Sequence, residues 1–277
     1  MKKKWGKVIF SRNKTSEVLN MTDAKIIAVA NQKGGVGKTT TAMNLPAALS
    51  YQKKKVLIID SDPQANASSG FGFHLKDDEK SLYQLYTDNL DSADEAIVEI
   101  KENLHLIPAT IHLAAVEIEL ISEIGREAIL RDLLDELRTK YDYIFIDCPP
   151  SLGLLTINAL TAASEVLIPM QCEYFAMEGL SQLIKTWKTV KKKLNPKLEI
   201  NGLVFTMYDK RNRLTWEVAK EVEKHFGENI YKTVIPRNVR LTEAPSNGCS
   251  IFDYEKNSAG AKAYIKLAKE FIKREVE

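Results

Sequence analysis

No stretch of this 277-residue chain stays apolar for the roughly 18 residues that a membrane-crossing helix needs. The N-terminus, MKKKWGKVIF, is basic but lacks the apolar core of a secretory signal. Cysteine is scarce: Cys148, Cys172 and Cys249 are too far apart for metal-ligand spacing, and they suit a reducing cytoplasm. An excess of one charge is missing too. The 39 basic and 37 acidic side chains leave a formal net charge of +2, so any contact with nucleic acid must come from local patches. Internal repeats and low-complexity linkers are absent. The economical reading is a single domain over residues 23–277, preceded at 1–22 by a short basic extension that reads as a flexible tail.

What is present is alternation. Short β-branched apolar runs recur: KIIAVA (Lys25 to Ala30), VLIID (Val56 to Asp60), LHLIPA (Leu104 to Ala109), YIFID (Tyr143 to Asp147), VLIPM (Val166 to Met170), INGLVFTM (Ile200 to Met207) and YKTVIP (Tyr231 to Pro236). Each reads as a buried strand. Helical patterns over Thr39 to Tyr51, Ile111 to Ile124, Glu127 to Arg138, Met177 to Leu194, Thr215 to Phe226 and Ala259 to Arg274 separate most of them. This predicts right-handed crossovers and an α/β fold, a mostly parallel twisted sheet flanked by helices on both faces. Ligands of such sheets collect at the carboxyl ends of the strands.

Directly after the first run stands NQKGGVGKTTTAMN, Asn31 to Asn44. Gly34, Gly35 and Gly37 lack Cβ atoms, so consecutive N–H groups can turn toward an anion, and a helix opening near Lys38 adds its positive end. Lys38 would reach the β- and γ-phosphates of a nucleotide, and the Thr39 hydroxyl would ligate Mg²⁺. The match to G-x-x-x-x-G-K-[ST] is loose at its front, where Gln32 stands in place of the first glycine. A second lysine, Lys33, also precedes the glycines, and a phosphate loop needs only one.

Asp60 and Asp62, in IIDSDPQAN, close the second run, and Asp147, in FIDCPPSLG, closes another. One such aspartate is ordinarily a cap or turn residue. Three on one sheet edge beside a phosphate loop point to Mg²⁺ and water. Asp147 fits the orienting of Mg²⁺, and Asp62 the placing of the attacking water.

KGGVGKTT, IIDSDPQAN, YDYIFIDCPPSLGLLTINAL, QCEYFAMEGL and VIPRNVRLTEAPSNG, in that order, resemble the ParA/Soj chromosome- and plasmid-partitioning ATPases. These belong to the deviant Walker A class, which includes MinD, and the resemblance runs from about Lys25 to the C-terminus. It implies a P-loop NTPase-like fold, ATP and Mg²⁺ as cofactors, and a sandwich homodimer when ATP is bound. It also implies two partners, double-stranded DNA held without sequence preference and a ParB-like protein that stimulates hydrolysis. The protein would be cytoplasmic and nucleoid-associated, with no membrane partner.

The resemblance also assigns roles. Lys33 would cross the dimer interface to the nucleotide of the other subunit, adding charge in trans much as an arginine finger does. Lys33, Lys38 and Asp62 would serve hydrolysis, and Lys33, Gly34, Gly35, Val36, Gly37, Lys38, Thr39 and Thr40 would hold the nucleotide. Thr39, Asp60 and Asp147 would sit at the metal, and Asp147 to Ser151 would sense the γ-phosphate. Met207, Pro236 and Asn238 would surround adenine and ribose. Arg211 and Arg240 fall on DNA-contacting positions. Lys262, Lys266, Lys269 and Lys273 form one stripe of the last helix that would extend the same face, although such stripes are ordinarily just solvated.

Two departures stand against the family pattern. Pro46 lies inside the helix after the phosphate loop and should kink it. Met1 to Asn20 is too short for the helix-turn-helix domain of larger plasmid relatives, and Met21 is a candidate start. Three other readings remain open. A MinD-like membrane ATPase needs a C-terminal amphipathic helix to enter lipid, and the last helix has an apolar side (Ile265, Leu267, Ala268, Phe271, Ile272) that more simply covers the sheet. An electron donor like the nitrogenase iron protein needs cysteines that bridge a dimer. A non-enzymatic scaffold needs no Asp62.

Overall fold

The computed structural model describes residues 23–76, 79–173 and 176–276, so the extension expected at 1–22 lies outside the described residues. Strands β1 (Lys25–Val29), β2 (Val56–Asp60), β3 (Val98–Lys101), β4 (Leu104–Ile107), β5 (Tyr143–Asp147), β6 (Glu165–Gln171) and β7 (Glu199–Thr206) form one sheet in the order β3-β4-β2-β5-β1-β6-β7. Every neighbouring pair is parallel except β3 with β4. The five residues of β2 and of β5 are all buried, as strands covered on both faces must be.

The helices in chain order are α1 (Lys38–Ser50), α2 (Asn66–Gly70), α3 (Leu82–Tyr86), α4 (Leu113–Glu119), α5 (Ile129–Leu134), α6 (Leu154–Ala162), α7 (Ala176–Lys193), α8 (Arg213–Phe226), α9 (Arg240–Ser246), α10 (Ile251–Glu255) and α11 (Ala259–Val276). On one face, Met43 and Leu45 of α1, Ile251 of α10 and Phe271 of α11 pack on Ile27, Ile58 and Phe145. On the other, Leu113 of α4, Leu134 of α5, Leu160 of α6, Leu183 of α7 and Val222 of α8 pack with Ile26, Ile59 and Ile146. Tyr264, Leu267, Ala268 and Phe271 of α11 are fully covered, so its apolar side is already used by the sheet; Ile265, 39 % exposed, looks outward. Among the described residues no helix is long and apolar enough to cross a membrane.

The structure corrects several expectations. YKTVIP is not a strand. It touches β7 at Tyr231 N–H to Leu203 O (2.9 Å) and Ile235 N–H to Phe205 O (2.8 Å), but between them Lys232 and Thr233 donate to the Glu270 carboxylate (2.7 and 2.8 Å). A side chain of α11 thus takes the donors that a ladder would need, and Pro236 has none to give. The half-exposed, polar β3 and the short helices α2, α3, α9 and α10 carry too little periodicity to be foreseen. Helix expected over Ile111 to Ile124 and Glu127 to Arg138 contracts to α4 and α5, each followed by a 3₁₀ turn, with Gly125 at φ +79° between them. Pro46 does not end α1, which continues to Ser50.

Where YKTVIP crosses β7, the backbone comes close enough to require glycine. A Cβ on Gly202 would lie 2.7 Å from Asn229 O and 2.7 Å from Tyr231 Cε2. Gly202→Ala is therefore expected to cost about 1–3 kcal/mol, lowering the thermal midpoint by several degrees in circular dichroism. An unchanged midpoint would mean that the crossing segment yields freely.

Candidate nucleotide site

The phosphate loop leaves the sheet at its centre. Ala30 N–H still donates to Leu167 O of β6 (3.1 Å), and Cys148 N–H to Val29 O (3.2 Å), so the loop emerges between β5 and β6. Asn31 then anchors it, donating through Nδ2 to Pro169 O (2.8 Å) and accepting Lys33 N–H on Oδ1 (3.0 Å). Gly35 and Gly37 take φ of +71° and +83°, which side chains resist. The far wall is fixed by Thr206, whose hydroxyl donates to Val36 O (2.7 Å). Gly34 and Gly35 are exposed and open outward, and Thr39 and Thr40 are half-buried in the first turn of α1.

The two lysines diverge. Lys38 is 6 % exposed; its ammonium donates to Lys33 O (3.2 Å), and burial lowers its pKa against the opposing pull of Asp147. Lys33, by contrast, is half-buried and pairs its ammonium with Glu173, just beyond β6. Gly179 of α7 packs beside it, with room for a Cβ only at 3.7 Å from Lys33 Cβ.

The three aspartates do meet here. Asp60 and Asp147 are register partners on β2 and β5, both wholly buried. Asp60 is saturated: Oδ2 accepts from Ser68 N–H (2.8 Å) and Oγ–H (2.7 Å), and Oδ1 from Asp62 N–H (3.2 Å). Burial pushes its pKa up to about 6 despite those bonds. Ser68 Oγ also accepts from Ala109 N–H (2.9 Å), which ties the end of β2 to that of β4. Asp62, 6 % exposed, accepts Gln64 N–H on Oδ1 (3.0 Å).

Asp147 differs from both. Neither of its carboxylate oxygens has a hydrogen-bond partner among the described residues. Burial and then the Asp60 charge raise its pKa well above the carboxylate range, with Thr39 and Lys38 acting the other way. An orphaned, buried carboxylate beside a threonine hydroxyl suits a hard divalent cation. Among the described residues no three His, Cys, Asp or Glu side chains close into a metal-binding group.

Beside Gly37 and Thr40 opens a mostly apolar cavity of about 260 Å³, lined by Thr206, Met207, Ile235, Pro236, Asn238, Leu241 and Tyr264. Met207 thus shares one wall set with Pro236 and Asn238, which follow it far along the sequence. Met207 adopts φ +47°, uncommon for a residue with a side chain and of a kind that gathers at functional sites. Asn238 Oδ1 is buried without a partner. Tyr208 N–H donates to Ile235 O (2.9 Å), which brings the loop carrying Arg211 beside the segment leading to Arg240. Both arginines are exposed, Arg211 held by Asp209 (3.0 Å) and Arg240 by Glu243 (2.7 Å). Lys262, Lys266, Lys269 and Lys273 are all exposed on α11. Lys262 lies on the turn after Gly260, which packs on Leu241 next to Arg240; Lys273 is about 16 Å further along the axis.

Sequence reasoning passed over four residues of this site: Asn31, Ser68, Glu173 and Thr206. Glu173 had a visible signal, an acid just past a strand end inside QCEYFAMEGL. The others act through hydrogen bonds that no local pattern announces. Cys148 and Cys172 are 0 % and 5 % exposed, so neither thiol is presented to a second subunit.

Known proteins match this arrangement. A family described as AAA domain matches residues 24–200. The sporulation initiation inhibitor protein Soj of Bacillus subtilis is 55 % identical over 246 residues, covering 89 % of this chain and 97 % of that protein. The chromosome partitioning protein ParA of Caulobacter vibrioides is 50 % identical over 253 residues, covering 91 % and 95 %. A solved structure of cobyrinic acid a,c-diamide synthase from Mycobacterium smegmatis, with bound ATP analog and magnesium, superposes with a TM-score of 0.80 at 34 % identity, covering 92 % and 96 %. With a phosphate loop, a buried acidic edge and more than half its length matched, the chain belongs to the AAA-domain family and, within it, to the Soj/ParA partitioning ATPases.

Proposed function

We propose that this ATPase binds ATP with Mg²⁺, pairs face to face with a second copy, and in that state grips double-stranded DNA without sequence preference. Hydrolysis, stimulated by a ParB-like partner, returns it to a monomer and frees the DNA on the nucleoid. The observation that carries this reading is the divergence of the two loop lysines. Lys38 is buried toward Asp147, where a single chain needs its charge, while Lys33 reaches away to Glu173. A lysine in a phosphate loop that serves no phosphate of its own chain is free to serve one in another.

The remaining groups fit ATP. The loop amides and the start of α1 would hold the phosphates, and the cavity would hold the base. There the unpaired Asn238 Oδ1 offers an acceptor to the amino group of adenine. Thr39 and Asp147 would hold Mg²⁺, which supplies charge neutralisation on the transferring phosphoryl group. Asp62 Oδ1 is fixed by Gln64 N–H, leaving Oδ2 to orient a water for attack. The solved synthase matches the chain over a similar span but at 34 % identity, against 55 % for Soj and 50 % for ParA, which favours partitioning over synthase chemistry. A lipid-binding role has no support from α11, whose apolar side is covered.

ADP lacks the γ-phosphate that would order Asp147 to Ser151, so DNA binding is expected only with ATP or a slowly hydrolysed analogue. Gel shifts on several unrelated duplexes test this. Equal retardation with ADP or without nucleotide would show that the switch is misread.

A further inference from the structure

The cavity beside the phosphate loop is walled by the two helices that carry Arg240 and the lysine stripe. Leu241 belongs to α9, directly after Arg240, and Tyr264 to α11, between Lys262 and Lys266. The helices meet closely there, since a Cβ on Gly260 of α11 would lie 2.6 Å from Leu241 Cγ. Tyr264 also reaches the phosphate side. It is fully buried, and its hydroxyl shares a hydrogen bond with the Thr41 hydroxyl of α1 at 3.1 Å. Thr41 stands two residues beyond Thr39, and its N–H closes the first turn of α1 on Gly37 O (3.0 Å). One tyrosine thus touches the cavity, the helix that opens at the phosphate loop and the helix of the lysine stripe.

The apolar contacts around that bond cannot do what it does. Leu45 and Leu49 of α1 lie in the same apolar cluster as Ala261, Leu267 and Phe271 of α11. Apolar contact is not directional, so it holds two helices together without fixing how far one slides along the other. A buried hydroxyl pair does fix it, because a shift leaves two polar groups without partners. The far end of α11 is pinned elsewhere. Glu270 accepts Lys232 and Thr233 N–H (2.7 and 2.8 Å), and Glu275 pairs with Lys25 of β1 (3.1 Å). We infer that Tyr264 is a positioning residue for the DNA face: a base in the cavity packs on it, and its hydroxyl holds α11 and α9 in register with the phosphate loop. This role rests on the nucleotide and DNA sites proposed above, and it adds that the base, not the phosphates alone, sets the grip. A ligand that fills the loop and leaves the cavity empty should therefore fail to order α9 and the start of α11.

Hydrogen exchange of the full chain in Mg²⁺, with ATP or with inorganic tripolyphosphate, tests this. ATP should slow exchange by about tenfold or more over 240–246 and 259–267 as well as over the loop, and tripolyphosphate over the loop alone. Tyr264→Phe keeps the ring and deletes the hydrogen bond. At ATP concentrations shown to saturate it, its affinity for duplex DNA should fall about tenfold. Thr41→Val should lose as much, the double variant no more than either, and Thr41→Ser should bind DNA as the wild type does. A merely structural bond would lower the thermal midpoint without changing the contrast between ATP and tripolyphosphate. Equal protection of α9 and α11 by the two ligands overturns the inference, as does wild-type DNA affinity in Tyr264→Phe. If the wild type itself binds DNA equally with and without ATP, the switch proposed above fails as well. If the wild type needs ATP and Tyr264→Phe matches it, the role of Tyr264 fails alone.

Discussion

Lys33→Ala is expected to remain monomeric in ATP and Mg²⁺, whereas Asp62→Ala is expected to accumulate as a long-lived dimer. The contrast follows from where the two side chains stand. The Lys33 ammonium is held in an ion pair with Glu173, while the Lys38 ammonium turns the other way, donating to Lys33 O. Removing it should leave the phosphate cradle intact while deleting a charge aimed across an interface. Charge supplied in trans at a phosphoryl group is worth about a thousandfold or more in turnover, so hydrolysis should fall by that order as well. Asp62 would act later: with its water-positioning oxygen gone, ATP should still bind and the copies should join, but the reset should fail. Size-exclusion light scattering with ATP reads both outcomes. A monomeric Asp62→Ala protein that turns over ATP normally sinks the assignment. The Glu173 pair adds a finer expectation. Its side chains are 31 % and 46 % exposed, and such a surface pair is worth at most about 1 kcal/mol. Glu173→Gln should therefore favour the dimer by no more than about fivefold per chain, or about thirtyfold for the symmetric pair, a small bias beside the loss of Lys33 itself.

The architecture was legible because periodicity reports burial. β2 and β5 were delimited residue by residue from VLIID and YIFID, since strands covered on both sides leave no polar residue to blur their ends. The site was legible for a related reason: glycines and strand-end aspartates are local signals, and the sheet brings them together. YKTVIP misled because apolar and β-branched content cannot reveal that Glu270, about 38 residues away, takes its donors. Asp60 and Asp147 look alike in sequence, each closing a strand of aliphatic residues. Only the structure separates them, one carboxylate saturated by Ser68 and Asp62, the other without a partner. The helix expected over Ile111 to Ile124 carries apolar residues on two sides, and periodicity alone cannot say that Leu113 and Val116 face the core while Ile118 and Ile121 face out.

Arg240→Ala is expected to weaken binding to every duplex alike while leaving ATP-driven pairing and basal hydrolysis as they are. The side chain is 53 % exposed and its ion pair with Glu243 stays within α9, so its loss uncovers no core. Leu241, the next residue, is the one that packs, against Gly260 of α11. That packing sets Arg240 beside the start of the lysine stripe, while the Tyr208–Ile235 bond brings the Arg211 loop up from the other side. One chain would therefore offer only a few phosphate contacts, and Arg211 and Arg240 are already shared with Asp209 and Glu243. Two chains held by ATP double the number, and the second set engages at high effective concentration, so affinity should rise steeply on dimerisation. Each contact removed should then lower the slope of log K against log salt by about 0.9 per chain, or about 1.8 for a symmetric pair. Lys273→Ala, about 16 Å along α11 from Lys262, should have a smaller effect if the DNA crosses near the nucleotide end of the helix. A salt titration across 50–200 mM or so decides the matter. Wild-type affinity and slope in Arg240→Ala would place the DNA face elsewhere. Loss of ATP-driven pairing in the same variant would make Arg240 part of the interface or the fold, and the salt slope would then report dimerisation instead of phosphate contact.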